Sequence, residues 1–160
     1  MKRRMIYGPT IALLFGLWAS SSAAAPCHDV GQLAQFIAAH SDYTDLPDCI
    51  AVDLLDLVPH DRLMLSQAGA YDPATGAISV AQDLDLHDTL GQSYLLHELV
   101  HYAQFHSQAP AQARCPAELE AQAYALQAQF LRENGRGDEA VVLILLSAPL
   151  TTCGAQEMTY

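Results

Sequence analysis

Two histidines and a glutamate occur in the order and spacing that a hydrolytic metal site requires. The motif His-Glu-Leu-Val-His at positions 97–101 stands in residues 92–109, a stretch without proline or glycine whose apolar residues recur every three or four positions. On a helix, residues four apart share a face, so the imidazoles of His97 and His101 can converge on one metal ion. Glu98 is rotated by about 100° from His97. Its carboxylate therefore lies outside the ligand set but within reach of a metal-bound water, as in a zinc hydrolase.

The two histidines leave room for a third protein ligand, and the candidates are Glu118 and Glu120. Both lie on a helix that we expect to begin near Pro116 and to stop at Gly135. At about 100° per residue, the two glutamates point to opposite sides of this helix. Glu118 shares its side with polar residues typical of a solvated face, whereas the side of Glu120 is a semi-buried mixture that includes Tyr124. We therefore expect Glu120, rather than Glu118, to be the third ligand.

The elements that must position these residues predict an α+β domain with a short sheet, the motif helix and two or three further helices. Residues 72–76, Asp-Pro-Ala-Thr-Gly, are a strong turn signal. Residues 62–71 and 77–81 are therefore expected to pair as a β-hairpin. The second strand is expected to be an edge strand that borders the cleft and pairs with an extended peptide. Asp88 or Thr89 is expected to cap the motif helix.

Two further segments have an apolar pattern that predicts helix. In residues 30–40 the apolar positions recur every three or four residues with polar ones between them, as in an amphipathic helix. Residues 138–150 are strongly apolar but too short to span a bilayer. We expect them to form a buried final helix, with a strand as the alternative because several of these residues are β-branched.

The N-terminus is typical of a secretory signal peptide. Residues 1–25 combine a basic start, a short apolar stretch and a small-residue exit, which leaves a single predicted domain at residues 26–160 and a periplasmic or secreted location. Removal of Lys2, Arg3 and Arg4 reduces the seven basic residues to four against 18 acidic ones, a net charge of −14. Such a charge argues against nucleic acid and against membranes as partners of the mature chain.

The chain contains four cysteines: Cys27, Cys49, Cys115 and Cys153. An even number in an exported chain predicts two disulfides. No two cysteines have the Cys-x-x-Cys spacing, so zinc ligation by thiolates is the weaker alternative. Of the three possible pairings, we expect Cys27–Cys49 and Cys115–Cys153.

The motif at 97–101, followed on the next helix by Glu120-Ala121-x-x-Tyr124, resembles the gluzincin group of zinc metallopeptidases. The resemblance covers residues 71–131 and extends to small secreted bacterial proteins with a zincin-like core. It implies a minimal zincin-like domain, Zn²⁺ held by His97, His101 and Glu120, and a peptide or protein substrate. Metzincins are less similar, because Gln104 stands where their motif has a glycine.

The resemblance implies peptide-bond hydrolysis by a metal-activated water, with Glu98 as general base. The donor to the oxyanion is expected among Tyr124, Tyr102, Tyr71 and His106, with Tyr124 first because it lies one turn beyond Glu120.

Two other functions remain open from the sequence. The first is a non-catalytic, exported metal- or peptide-binding module that retains the zincin site. The second is a structural zinc site, which needs a fourth protein ligand such as His106 or His87.

Overall fold

Five α-helices and three short β-strands make up residues 27–55 and 68–153, the part of the chain that the computed structural model describes. The helices are α1 (Cys27–His40), α2 (Thr89–His106), α3 (Ala109–Gln112), α4 (Pro116–Glu133) and α5 (Gly137–Ser147), and the 3-10 helix Ala148–Thr152 follows. The strands are β1 (Val52–Leu55), β2 (Gly69–Asp72) and β3 (Ala77–Ala81). The α+β class expected from the sequence is confirmed. The predicted signal peptide lies outside the described residues.

The sheet contains the hairpin predicted from the sequence, but the second strand of that hairpin lies elsewhere in the sheet than expected. Strands β2 and β3 pair antiparallel across the turn, where Gly76 has a φ of +73° that favours glycine. Strand β1 pairs parallel to β3 on the other side, so the order is β1-β3-β2. The prediction that 77–81 is an edge strand is therefore wrong. Ile78 and Val80 are fully buried, and these apolar residues stabilise a central strand better than an edge. Within the sheet of the described residues, the edge strand of the hairpin is β2.

Helix α2 lies at the centre of the fold. The side chain of Asp88 accepts a hydrogen bond from the backbone N–H of Leu90 and caps the helix, as expected. Its apolar residues enter a core shared with α1, the sheet and α4 (Val30, Leu33, Ile37, Val52, Ile78, Val80, Leu95, Leu96, Leu99, Val100, Ala123, Leu126 and Phe130). Burial of this cluster fixes α2 between the sheet on one side and α4 on the other.

Helix α5 confirms the predicted helical end of the chain but not its burial. Ala140 and Leu143 pack on Ala128 and Leu131 of α4. The other side of α5 is exposed, and the side chain of Leu145 is 69% exposed. A continuous apolar run on a helix points in all directions, so packing against one neighbour leaves part of it in solvent. None of the helices in the described residues is both long and apolar enough to cross a membrane.

A disulfide joins Cys115, at the start of α4, to Cys153 after the 3-10 helix. This confirms one of the two predicted pairs. The other pair involves Cys27, whose side chain lies outside the described part of the structure, and stays a prediction.

Candidate metal centre

Helix α2 presents both motif histidines on the face that packs against α4. His97 and His101 are four residues apart and therefore lie one above the other. Their Nε2 atoms are 3.1 Å apart, and both side chains are mostly buried. The spacing read from the sequence thus becomes a pair of converging ring nitrogens.

Helix α4 brings the carboxylate of Glu120 to the same point. One of its oxygens lies 3.4 Å from Nε2 of His97, and the other lies 3.3 Å from Nε2 of His101. Glu118 turns to the opposite side of the helix, where it forms an ion pair with Arg114. The structure therefore brings together the three residues expected to be ligands and excludes Glu118 from the group.

The Nδ1 atoms of the two histidines each meet a buried glutamine. Nδ1 of His97 lies 3.1 Å from Oε1 of Gln127 on α4, and Nδ1 of His101 lies 2.9 Å from Oε1 of Gln104 on α2. These side chains are 1% and 0% exposed, respectively. Neither glutamine is among the site residues predicted from the sequence. Helical spacing could have identified both glutamines as neighbours of the site. Gln104 stands three positions after His101, and Gln127 lies two turns after Glu120.

Glu98 lies beside the donor group, between α2 and strand β2. The backbone N–H of Tyr71 donates a hydrogen bond to its carboxylate. Strand β2 comes so close that a Cβ added to Gly69 would lie 2.7 Å from Cγ and Oε1 of Glu98. Burial raises the pKa of Glu98, although the nearby His97 and His101 partly oppose the shift. The group is thus a buried carboxyl that takes up a proton more readily than an exposed one.

Glu120 and His101 alter each other's protonation. Burial raises the pKa of Glu120, but the hydrogen bonds and positive charges of His101 and His97 in their protonated forms outweigh burial and hold that pKa far below its usual range. Burial lowers the pKa of His101, but the hydrogen bond to Glu120 and the charges of Glu120 and Glu98 leave it raised. Glu120 is therefore ionised, as a metal ligand must be, and a proton competes with a metal ion for Nε2 of His101.

Tyr124, one of the predicted oxyanion donors, lies beside the donor group. Its ring centroid is 4.5 Å from that of His97. Burial and the charges of Glu120 and Glu98 raise its pKa to about 12, so the phenol keeps its proton at neutral pH. Tyr102 stacks on His106 and contacts Tyr71 edge to face. The structure thus separates Tyr124 from the other three candidates, which form an aromatic cluster at the C-terminal end of α2.

The donor atoms lie close enough together to converge on one metal ion. Coordination at about 2.1 Å separates neighbouring donors by about 3.4 Å. The two Nε2 atoms are 3.1 Å apart, and each lies 3.3 or 3.4 Å from a different oxygen of Glu120. Taken as one ligand atom from each residue, the three donors lie within 4.8 Å of one another. Within residues 27–55 and 68–153, the group that could hold a metal consists of His97, His101 and Glu120. His106, one of the fourth ligands considered for a structural site, bonds instead to the carbonyl oxygen of Tyr102.

Comparison with known proteins gives a family. Residues 22–158 match the model of a family described as "Domain of unknown function (DUF6647)". No curated protein and no solved structure matches the chain. The geometry of the site is therefore the basis for assigning a function.

Proposed function

The chain belongs to the DUF6647 family, and we propose that it is an exported zinc-dependent peptidase. One observation carries the proposal. Two imidazole nitrogens and one carboxylate meet at metal-ligand spacing, and a second carboxylate, that of Glu98, is buried beside them outside the donor set. Two histidines and a carboxylate favour zinc among the divalent metals. Because a structural zinc site takes four protein ligands, a three-donor group favours a site with an open position for water.

Zinc in this site would act as a Lewis acid and lower the pKa of a bound water to about 7. Glu98 would accept the proton of that water as its oxygen adds to the carbonyl carbon of the scissile peptide. The same carboxyl would then protonate the amine nitrogen as the C–N bond breaks. The raised pKa of Glu98 supports this role, because it makes the carboxylate a better proton acceptor than an exposed one.

Tyr124 is the donor that we assign to the oxyanion. Its phenol keeps its proton at neutral pH and lies beside His97, one turn from Glu120. A protonated hydroxyl at this place can stabilise the negative charge that develops on the carbonyl oxygen.

The substrate backbone would pair with strand β2 rather than with β3. Among the described strands, β2 bonds only to β3, and its residue Tyr71 already contacts Glu98 through the backbone. An extended peptide added to the outer edge of β2 would run past Glu98, with its backbone hydrogen bonds supplying affinity.

A non-catalytic metal- or peptide-binding module is the second candidate function. The observation that favours it is that β3, which was expected to border the cleft, lies in the middle of the described sheet and is paired on both sides. A cleft of about 680 Å³ beside α4 is lined by Glu118 and Gln122 and includes none of the three donor residues. A metal site without a substrate cleft would bind zinc and cleave nothing.

The first experiment measures the metal content of purified mature protein by mass spectrometry. Wild type and the matched control Glu118→Ala are expected to hold one zinc per chain after reconstitution, whereas Glu120→Ala should lose it. Glu118 is a fair control because it is a glutamate two residues away on the same helix that faces the other side. Failure of the wild type to bind zinc would overturn the proposed metal site.

The second experiment measures cleavage of a peptide library by the zinc-loaded protein, with Glu98→Gln as control. Removal of a general base typically reduces the rate by about 10²- to 10⁴-fold, and Glu98→Gln should keep its zinc because Glu98 is outside the donor set. Zinc binding without cleavage by the wild type would support the binding module instead.

A further inference from the structure

The amide of Gln127 can be oriented in only one way by its neighbours. The hydroxyl of Ser93 donates its single hydrogen to the carbonyl oxygen of Leu90 at 2.7 Å. It must therefore accept from Nε2 of Gln127, which lies 3.2 Å away. This contact turns Oε1 of Gln127 toward Nδ1 of His97. Since a carbonyl oxygen only accepts, this contact requires a hydrogen on Nδ1, and a neutral ring with its hydrogen there has its lone pair on Nε2.

The amide of Gln104 is oriented by the same logic on the other histidine. Its Nε2 lies 2.9 Å from the carbonyl oxygen of Leu119, which can only accept a hydrogen bond, and 3.3 Å from Oε1 of Gln122. Its Oε1 therefore faces Nδ1 of His101 at 2.9 Å and accepts the hydrogen of that ring. The lone pair of His101 Nε2 consequently points at the same space as that of His97.

We propose that Gln104 and Gln127 are positioning residues that set both histidines in the Nδ1–H tautomer and thereby create the metal site before a metal arrives. The inference rests on the proposed metal site but not on the proposed peptidase activity. Two lone pairs 3.1 Å apart beside an ionised carboxylate repel one another, and a cation between them removes this repulsion. The outer contacts thus select the state of the rings that favours metal binding.

The same two glutamines join the two ligand helices in opposite directions. Gln104 extends from α2 to the backbone of α4 at Leu119, the residue before Glu120. Gln127 extends from α4 to His97 and Ser93 on α2. Each amide therefore fixes a histidine ring and also the spacing between the helices that carry the donors.

Neutral amides suit this position because the site already contains two carboxyl groups, Glu98, which is buried, and Glu120, which is partly buried. A carboxylate at either place would also accept from Nδ1–H, but it would add a buried negative charge and could not donate to Ser93 or Leu119. A glutamine both accepts and donates, so one side chain satisfies the ring and the backbone.

The direct test is the tautomer of each histidine in chelator-treated wild-type protein. Long-range proton–nitrogen correlation spectra of the ¹⁵N-labelled chain, at a pH where the imidazoles are neutral, distinguish Nδ1–H from Nε2–H. Both His97 and His101 are expected to carry the hydrogen on Nδ1. Detection of Nε2–H as the main form of either ring would overturn the proposal, whatever the variants do.

Substitution adds a second readout, the zinc affinity measured by competition with a chromophoric chelator. Gln127→Leu and Gln104→Leu remove the acceptor at similar volume and should weaken zinc binding by about 10- to 100-fold. The matched control Gln129→Leu makes the same change on α4 at a residue that bonds to Glu133 instead, and its affinity should equal that of wild type. Gln127→Glu keeps the acceptor and should retain most of the affinity.

These outcomes separate a positioning role from packing and from the proposed function. If Gln127→Leu binds zinc as tightly as Gln129→Leu, the proposal is wrong. If Gln127→Leu is misfolded, circular dichroism will show it. The wild-type tautomers and the zinc affinity of Gln104→Leu then test the positioning role. A wild type that binds zinc without cleaving peptides contradicts the peptidase alone. A wild type with the predicted tautomers but no zinc contradicts the proposed metal site and, with it, the role of the glutamines in metal binding.

Discussion

At the scale of single residues, Glu98 lies in surroundings that oppose its charge. The side chain is 7% exposed, and its nearest charged neighbours include another carboxylate, Glu120. Burial of an ionised carboxyl reduces stability unless a positive partner offsets it. Such a residue is typical of a functional site, where stability is sacrificed for reactivity.

This conflict predicts that Glu98→Gln stabilises the folded chain in the presence of chelator. Because burial raises the pKa of Glu98 in the folded state, ionisation destabilises the native state above the ordinary carboxyl pKa of about 4.5. The gain from glutamine should therefore be present near pH 7 and vanish as the pH falls to about 4. Thermal unfolding across this range measures it, with the exposed Glu133→Gln as control. Equal stability of wild type and Glu98→Gln at pH 7 would contradict the prediction.

Tyr124 supplies the second prediction at this scale. Tyr124→Phe removes the hydroxyl and keeps the ring beside His97. Loss of one oxyanion donor typically lowers kcat by about 10²- to 10³-fold, and zinc content should not change. Steady-state kinetics on a cleaved library peptide provide the measurement, and Tyr102→Phe, in the aromatic cluster at the end of α2, is the matched control. A Tyr124→Phe enzyme with wild-type kcat would remove Tyr124 from the mechanism.

At the scale of secondary-structure elements, the site depends on α2, α4 and β2. Helix α2 supplies the histidines and Glu98, α4 supplies Glu120, and β2 closes over Glu98. The Cys115–Cys153 disulfide anchors the first turn of α4, five residues before Glu120. Each donor is therefore held by a helix that is itself fixed at another point, which is how a fold keeps ligand atoms at metal spacing without the metal.

The contact between β2 and α2 predicts the effect of Gly69→Ala. The added Cβ would lie 2.7 Å from Glu98, so the carboxylate must move, and a displacement of about 1 Å can lower the rate by about 10²-fold. Zinc binding should persist, because the donors are on the helices. Kinetics and metal content measured on the same preparation test this. Gly137→Ala, which meets nothing within 4 Å, should leave both unchanged, and unchanged kinetics in Gly69→Ala would contradict the inference.

At the scale of the whole molecule, the core of the described residues is built from apolar side chains rather than from the proposed metal ligands. The main apolar cluster joins α1, the sheet, α2 and α4, and a smaller one joins α4 to α5. In small zinc domains, by contrast, the metal replaces a core and its removal unfolds the chain. A core of this kind would leave a bound metal ion free for chemistry.

Zinc removal is therefore expected to leave a folded but less stable protein. Binding to the native state alone adds about 2.7 kcal/mol at a zinc concentration 100 times Kd, so chelation should lower the melting temperature while the far-ultraviolet circular dichroism stays helical. A scan with and without chelator measures both quantities. Unfolding on chelation would favour the structural zinc site that the sequence left open.

The sequence by itself determined the features that depend on residues close together in the chain. The four-residue spacing of the histidines, the turn at residues 72–76 and the cap at Asp88 follow from local geometry. The choice of Glu120 over Glu118 also followed from the period of one helix, because 100° per residue separates the two faces. Such features need no knowledge of what packs where.

Only the tertiary structure decided which elements are neighbours. Strand β1 pairs with β3 across more than twenty residues of chain, which turned the expected edge strand into a central one. The roles of Gln104 and Gln127 depend on where α2 and α4 touch, and α5 is half exposed because one neighbour covers one face. Pairing and packing of this kind are set by the burial of apolar surface among distant segments, which the local periodicity of a sequence does not specify.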